Sequence, residues 1–109
     1  MQIVMRIEMN TIEYLLLSAQ RALWMHVVPC LRTVSVSLKG GEITWRCIFD
    51  KEATEDDIEL LKQAATEVIA DYNTSKYTIN EIYELVPFPE EMKQEENMVY
   101  YRHEHNYFE

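Results

Sequence analysis

LRTVSVSLKGGEITWRCIF, Leu31 to Phe49, reads as a β-hairpin. Two runs rich in β-branched and aromatic residues flank Gly40-Gly41, a pair that supplies the positive φ angles of a two-residue primed turn. With these glycines as the turn, Lys39 faces Glu42, Leu38 faces Ile43, Val36 faces Trp45 and Val34 faces Cys47, so one side of the ribbon is apolar. The other side pairs Ser37 with Thr44, Ser35 with Arg46 and Thr33 with Ile48. A slip of one residue would send every side chain to the wrong face, so turn chemistry and alternation together specify the register.

Working outward, a helix is expected before the hairpin. Its start falls near Asn10 or Thr11, because Asn10 with Glu13 three residues on has the form of a capping box. Ile12, Leu15, Leu16, Ala19, Ala22 and Leu23 share one helical face. Trp24 and Met25 extend the hydrophobic surface, His26 suits the negative end of the helix dipole in a structural or solvated role, and Pro29 is the expected stop. Met1 to Met9 alternate in polarity, as a short edge strand does; Met9 would also serve as an initiator, which makes an upstream extension the other reading.

After the hairpin, Thr54 is the expected cap of a second helix with Asp57 at its third position, and Ile58, Leu61, Ala65, Val68 and Tyr72 form its buried stripe. Tyr77 to Val86 fits a strand through Tyr77, Ile79, Tyr83 and Leu85, or a helix capped by Thr78. Aromatic and β-branched content and the Pro87 stop favour the strand. A last strand is expected over Met98 to His103. The whole reads as one α+β domain over residues 1–109, helix-strand-strand twice. It predicts two layers, with a mainly antiparallel sheet of about four strands and both helices on one face.

The chain has 109 residues, 48% hydrophobic and 27% charged, a composition that suits one globular core without metal or disulfide staples. Neither a membrane span nor a signal-peptide apolar stretch can be written, which places the chain in the cytoplasm. Cys30 and Cys47 lie too far apart along the hairpin to be bridged, so both read as reduced, buried thiols.

The formal net charge of −9 is unevenly spread. Up to Phe49 the acids Glu8, Glu13 and Glu42 are outnumbered by basic residues, and from Asp50 onward acids dominate. A field of that sign repels nucleic acid and anionic membranes and steers a basic protein toward the surface. A merely solvated acidic surface would keep a protein soluble by the same charges.

No catalytic trio stands out, and Ser35 and Ser37 are ordinary strand hydroxyls. Both glycines are used in the hairpin, so no phosphate-binding glycine loop exists and no cofactor is expected. His103-Glu104-His105 is the nearest approach to a metal motif, but it lacks a third ligand at recognisable spacing and is read as a polar tail.

LLLSAQRAL (Leu15 to Leu23), LRTVSVS (Leu31 to Ser37) and ATEVIADYN (Ala65 to Asn73) resemble a family of small bacterial proteins. Size and acidity are similar to those of immunity proteins encoded beside contact-dependent growth inhibition toxins. The resemblance implies a non-enzymatic inhibitor that occludes the basic surface of a cognate toxin, commonly a nuclease. Its contacts would come from acids and aromatics of the C-terminal half: Asn80, Glu81, Glu84, Phe88, Glu90, Glu91, Tyr100 and Tyr101, with Glu84 first because its parity sends it away from the helices. The competing arrangement is a homodimer through the uncovered sheet face, using Ser35, Ser37, Thr44, Arg46 and Ile48.

Overall fold

β1 (Leu31–Lys39) and β2 (Glu42–Phe49) pair antiparallel, and each of the seven cross-strand pairs expected between Thr33 and Ile48 is present. The computed structural model describes residues 8–93, 95 and 97–104, so the expected strand at Met1 to Met9 falls almost wholly outside the described residues. The apolar face of the hairpin carries the fold: Val34, Ile43, Trp45, Cys47 and Phe49 are completely buried. Each large side chain so buried contributes about 1.5–3 kcal/mol.

The two glycines of the turn have different jobs. Gly40 has φ +61°, the left-handed region that glycine enters without cost. Gly41 is needed for space, because a Cβ there would run into the Lys76 carbonyl oxygen, on the segment leading into the third strand. Gly41→Ala therefore forces a backbone clash and should cost about 1–3 kcal/mol. Gly40→Ala, which meets only open space, should cost about 1–2 kcal/mol. Urea midpoints of the two variants test the ranking, which reverses if the Lys76 contact does not matter.

Helix α1 (Ile12–Ala22) is capped by Thr11, whose Oγ1 accepts from the Tyr14 amide at 3.3 Å, and not by an Asn10–Glu13 box. Thr11 wins because its own hydroxyl also donates to the Glu8 carbonyl at 2.7 Å, which holds the entry turn. The helix stops at Ala22, well before Pro29, in a turn where Met25 adopts φ 68°. Trp24 and Met25 consequently leave the apolar stripe and stand 71% and 97% exposed. His26 is structural: Nδ1 donates to the Ala22 carbonyl at 2.8 Å, and Nε2 lies 3.4 Å from Glu67.

Helix α2 (Glu55–Ala70) has the expected capping box between Thr54 and Asp57. Leu61, Ala64, Ala65 and Val68 seat it on the sheet. The Ser18 hydroxyl donates to the Asp71 carboxylate at 2.6 Å and the Tyr14 hydroxyl to the Asp71 carbonyl at 2.6 Å, tying the two helices together. Both thiols are free and buried. Burial, reinforced by the Asp57 carboxylate at 3.3 Å, pushes the Cys30 thiol up to about 11, so it stays protonated and inert near neutrality.

β3 (Thr78–Leu85) is a strand, as its composition indicated, and runs parallel to β2 because α2 forms the crossover between them. β4 (Met98–Tyr101), shorter than the Met98 to His103 expected, pairs antiparallel with β1 on the far side. The sheet order is β3-β2-β1-β4. Two of its three pairings are antiparallel, so the sheet is mixed, within the α+β, two-helix, four-strand architecture that the sequence indicated.

Candidate functional site

The start of β1 holds an irregularity: Leu31 pairs with Phe49 and Thr33 with Ile48, so Arg32 is the extra residue of a bulge. A bulge re-aims a side chain, and here it directs Arg32 beneath the connection that follows β3. The guanidinium is almost wholly buried. Nε and Nη2 donate to the two Glu104 carboxylate oxygens at 2.8 and 3.0 Å, while Nη1 donates to the Val86 and Glu90 carbonyls at 2.7 and 3.0 Å. The Phe88 ring lies against the same group, 5.6 Å from its central carbon.

Arg102 extends the network. Nη2 donates to Asp50 Oδ2 at 2.9 Å and to Glu104 Oε2 at 3.0 Å, and Nη1 to the Pro29 carbonyl at 3.0 Å. Asp50 Oδ1 accepts from the amides of Lys51 and Phe88 at 2.8 and 3.0 Å. Two arginines thus meet two carboxylates, and the charges cancel while nearly every polar atom finds a partner. Burial alone would push Asp50 up; Arg102 and the two amides outweigh it and hold the carboxyl at about 2. Glu104 is held below its ordinary value chiefly by Arg32, against its own desolvation.

This network forms the floor of a groove of ≈ 820 Å³ between the connection and β4, lined by Arg32, Thr33, Pro89, Glu90, Glu91, Met92, Lys93, Met98, Tyr101, Arg102, His103 and Glu104. Three of the eight residues expected to bind a partner come together on it: Glu90 and Glu91 on the connection, both exposed, and Tyr101 on β4, 62% exposed. Phe88 sits behind them against Arg32.

The other four lie elsewhere. Asn80, Glu81 and Glu84 are on β3, at the opposite sheet edge. Glu84 does face away from the helices, but it is paired with Arg46, and Glu81 accepts from the Tyr83 hydroxyl at 2.6 Å. Tyr100 is half-buried against the hydrophobic core.

The sheet face named for a homodimer is only partly open. Ser35 and Ile48 are 4% and 3% exposed, Arg46 is also 3.5 Å from Glu95, and the Val36 amide donates to the Asn97 carbonyl at 3.0 Å. The connection between β3 and β4 crosses part of that face through Glu95, and Ser37, Thr44 and Arg46 stay half-buried beside a groove of ≈ 430 Å³. As for metals, Glu104 is engaged by two arginines, His105 lies outside the described residues, and among the described residues no three His, Cys, Asp or Glu side chains form a group able to hold an ion.

Nothing in the sequence singled out Arg32, Asp50, Arg102 and Glu104 as a unit, since up to 72 positions separate their partners. No curated protein matches the chain. The family model for MafI2 immunity protein matches residues 12–104, from the first residue of α1 to the glutamate that closes the arginine network. The chain belongs to the MafI2 immunity protein family.

Proposed function

We propose that this protein neutralises a cognate toxin domain by binding it directly, as a stoichiometric inhibitor with no catalytic step, and that the toxin is a nuclease whose basic substrate-binding surface is occluded. The observation that carries the reading is the family match over residues 12–104. The net charge of −9 supports the choice of a cationic partner, since a nucleic-acid-cleaving domain must be positive where it holds phosphate. The contact is assigned to the groove, where Glu90 and Glu91 stand beside the exposed Tyr101 ring. Aromatic side chains anchor interfaces, and neighbouring carboxylates steer the encounter.

Stopped-flow binding of the purified protein to the toxin encoded beside its gene tests this. The association rate should fall at least ~10-fold between low and physiological ionic strength. A flat rate removes the electrostatic mechanism, and absence of any complex removes the reading.

A further inference from the structure

We propose that the toxin is also held at the turn after α1, where Trp24 and Met25 form an apolar knuckle that inserts into a socket on the toxin surface. This rests on the toxin reading and adds to it a contact distinct from Glu90, Glu91 and Tyr101. Four of the seven large hydrophobic side chains exposed among the described residues gather here: Leu17 at 50%, Trp24 at 71%, Met25 at 97% and Val27 at 43%. Single exposed apolar residues are ordinary, but a cluster that includes a tryptophan marks contact with another molecule.

The composition is that of an interface centre. Ala22 to Leu31, ALWMHVVPCL, contains no Asp, Glu, Lys or Arg in a chain that is 27% charged. Interface centres are poor in charge and rich in aromatic side chains and methionine, with charge kept to the rim. Here the rim carries Glu67, 55% exposed beside His26, of the sign that meets a basic partner.

The turn is held in a strained shape. Met25 has φ 68°, a conformation that bulky residues rarely enter, and its side chain stands in solvent, so packing within the fold does not require it. Hydrogen bonds on both sides fix it. The Trp24 amide donates to the Arg21 carbonyl at 3.1 Å and the His26 amide to the Leu23 carbonyl at 3.0 Å, while the His26 ring joins the end of α1 to Glu67 on α2. Strain maintained by its surroundings is a feature of ligand-binding sites, and side chains placed before binding lose less freedom on binding.

Position says which molecule covers the knuckle. The Pro29 carbonyl, two residues beyond Val27, accepts from Arg102 Nη1 at 3.0 Å, and Arg102 lies on the floor of the groove. A toxin seated on the groove and reaching past Pro29 therefore meets Val27, Met25 and Trp24 as one continuous surface.

The chain has two tryptophans, and Trp45 is completely buried, so fluorotryptophan placed in this protein alone gives one surface signal and one internal reference. Titration with the toxin encoded beside the gene should move the Trp24 fluorine resonance and remove its response to exchanging light water for heavy water, while the Trp45 resonance stays in place. Trp24→Phe assigns the two signals. Trp24→Ala should raise the dissociation rate of the complex at least ~10-fold. Met25→Gly sets binding against stability: glycine accepts φ 68° without strain, so the urea midpoint should hold or rise while dissociation still quickens, whereas a purely structural role for Met25 would lower the midpoint.

A toxin complex in which the Trp24 resonance does not move overturns the proposal and leaves the toxin reading standing; absence of any complex overturns both. A Trp24 resonance that moves with the concentration of this chain alone assigns the knuckle to contact between copies and also overturns it. So does a Trp24→Ala complex that dissociates at the wild-type rate.

Discussion

Arg32→Ala should lower the unfolding free energy by about 3–5 kcal/mol, the usual result of removing one partner from a buried ion pair. The side chain is 3% exposed and its main partner Glu104 is 9% exposed, so water cannot substitute for the lost donors. The variant leaves Glu104 with Arg102 alone and strands the Val86 and Glu90 carbonyls. Arg32→Lys should recover only part of the loss, because an ammonium cannot reproduce the two-pronged contact with Glu104 while also reaching both carbonyls. Urea denaturation of the three proteins measures this. A loss under about 1 kcal/mol for Arg32→Ala would put the network in the class of solvent-screened surface pairs.

The same network sets the acid limit of stability. Asp50 is held at about 2 against an ordinary value of 3.8, and Glu104 is also depressed, so the folded chain binds fewer protons than the unfolded chain between those values. That stability is fully present above the unfolded values and is lost as pH falls from about 4 toward 2. Asp50 alone accounts for about 2 kcal/mol of it. Arg32→Ala should therefore flatten the acid limb as well as lower the plateau.

The parts of this fold that were legible in sequence are those decided by neighbours. In the hairpin, turn chemistry and two faces of alternation constrain the same register. In α2, Thr54 and Asp57 satisfy each other within one turn. Where a decision rests on distant partners, local signals fall short. α1 ends at Ala22, and the turn beyond it holds a methionine in a left-handed conformation, which no sequence pattern announces, whereas Pro29 marks only a later possible stop.

Arg32 resembles any other arginine at the start of a strand until the bulge turns it under a connection more than fifty residues away. Glu104 stands between two histidines in the sequence, yet its chemistry lies with Arg32 and Arg102. Of the expected partner contacts, Glu90, Glu91 and Tyr101 converge because the connection folds back over the sheet. Glu84 has the parity that recommended it, but its charge is engaged by Arg46.

Replacing Glu90 and Glu91 together by lysine should slow association with the toxin ~10–100-fold at low salt and abolish its salt dependence, with protein stability changed by less than about 0.5 kcal/mol. Both side chains are exposed on the connection, while the backbone that holds them is pinned separately by the Arg32 contact to the Glu90 carbonyl. Charge reversal there alters the rim and leaves the floor intact. A matched reversal of Glu52 and Glu59, exposed before and on α2, changes net charge by the same amount and serves as the control.

If the groove meets the toxin, the first pair slows association much more than the second. Equal slowing would show that the whole-molecule field is responsible and that the groove is not the docking site. Tyr101→Ala separates anchoring from steering: loss of an exposed aromatic at the contact should raise the dissociation rate ~10–100-fold and leave the salt dependence of association unchanged. Because most of an encounter's speed comes from charge and most of its lifetime from a few packed side chains, the two variants should affect different rate constants. A toxin held by this groove must show that division.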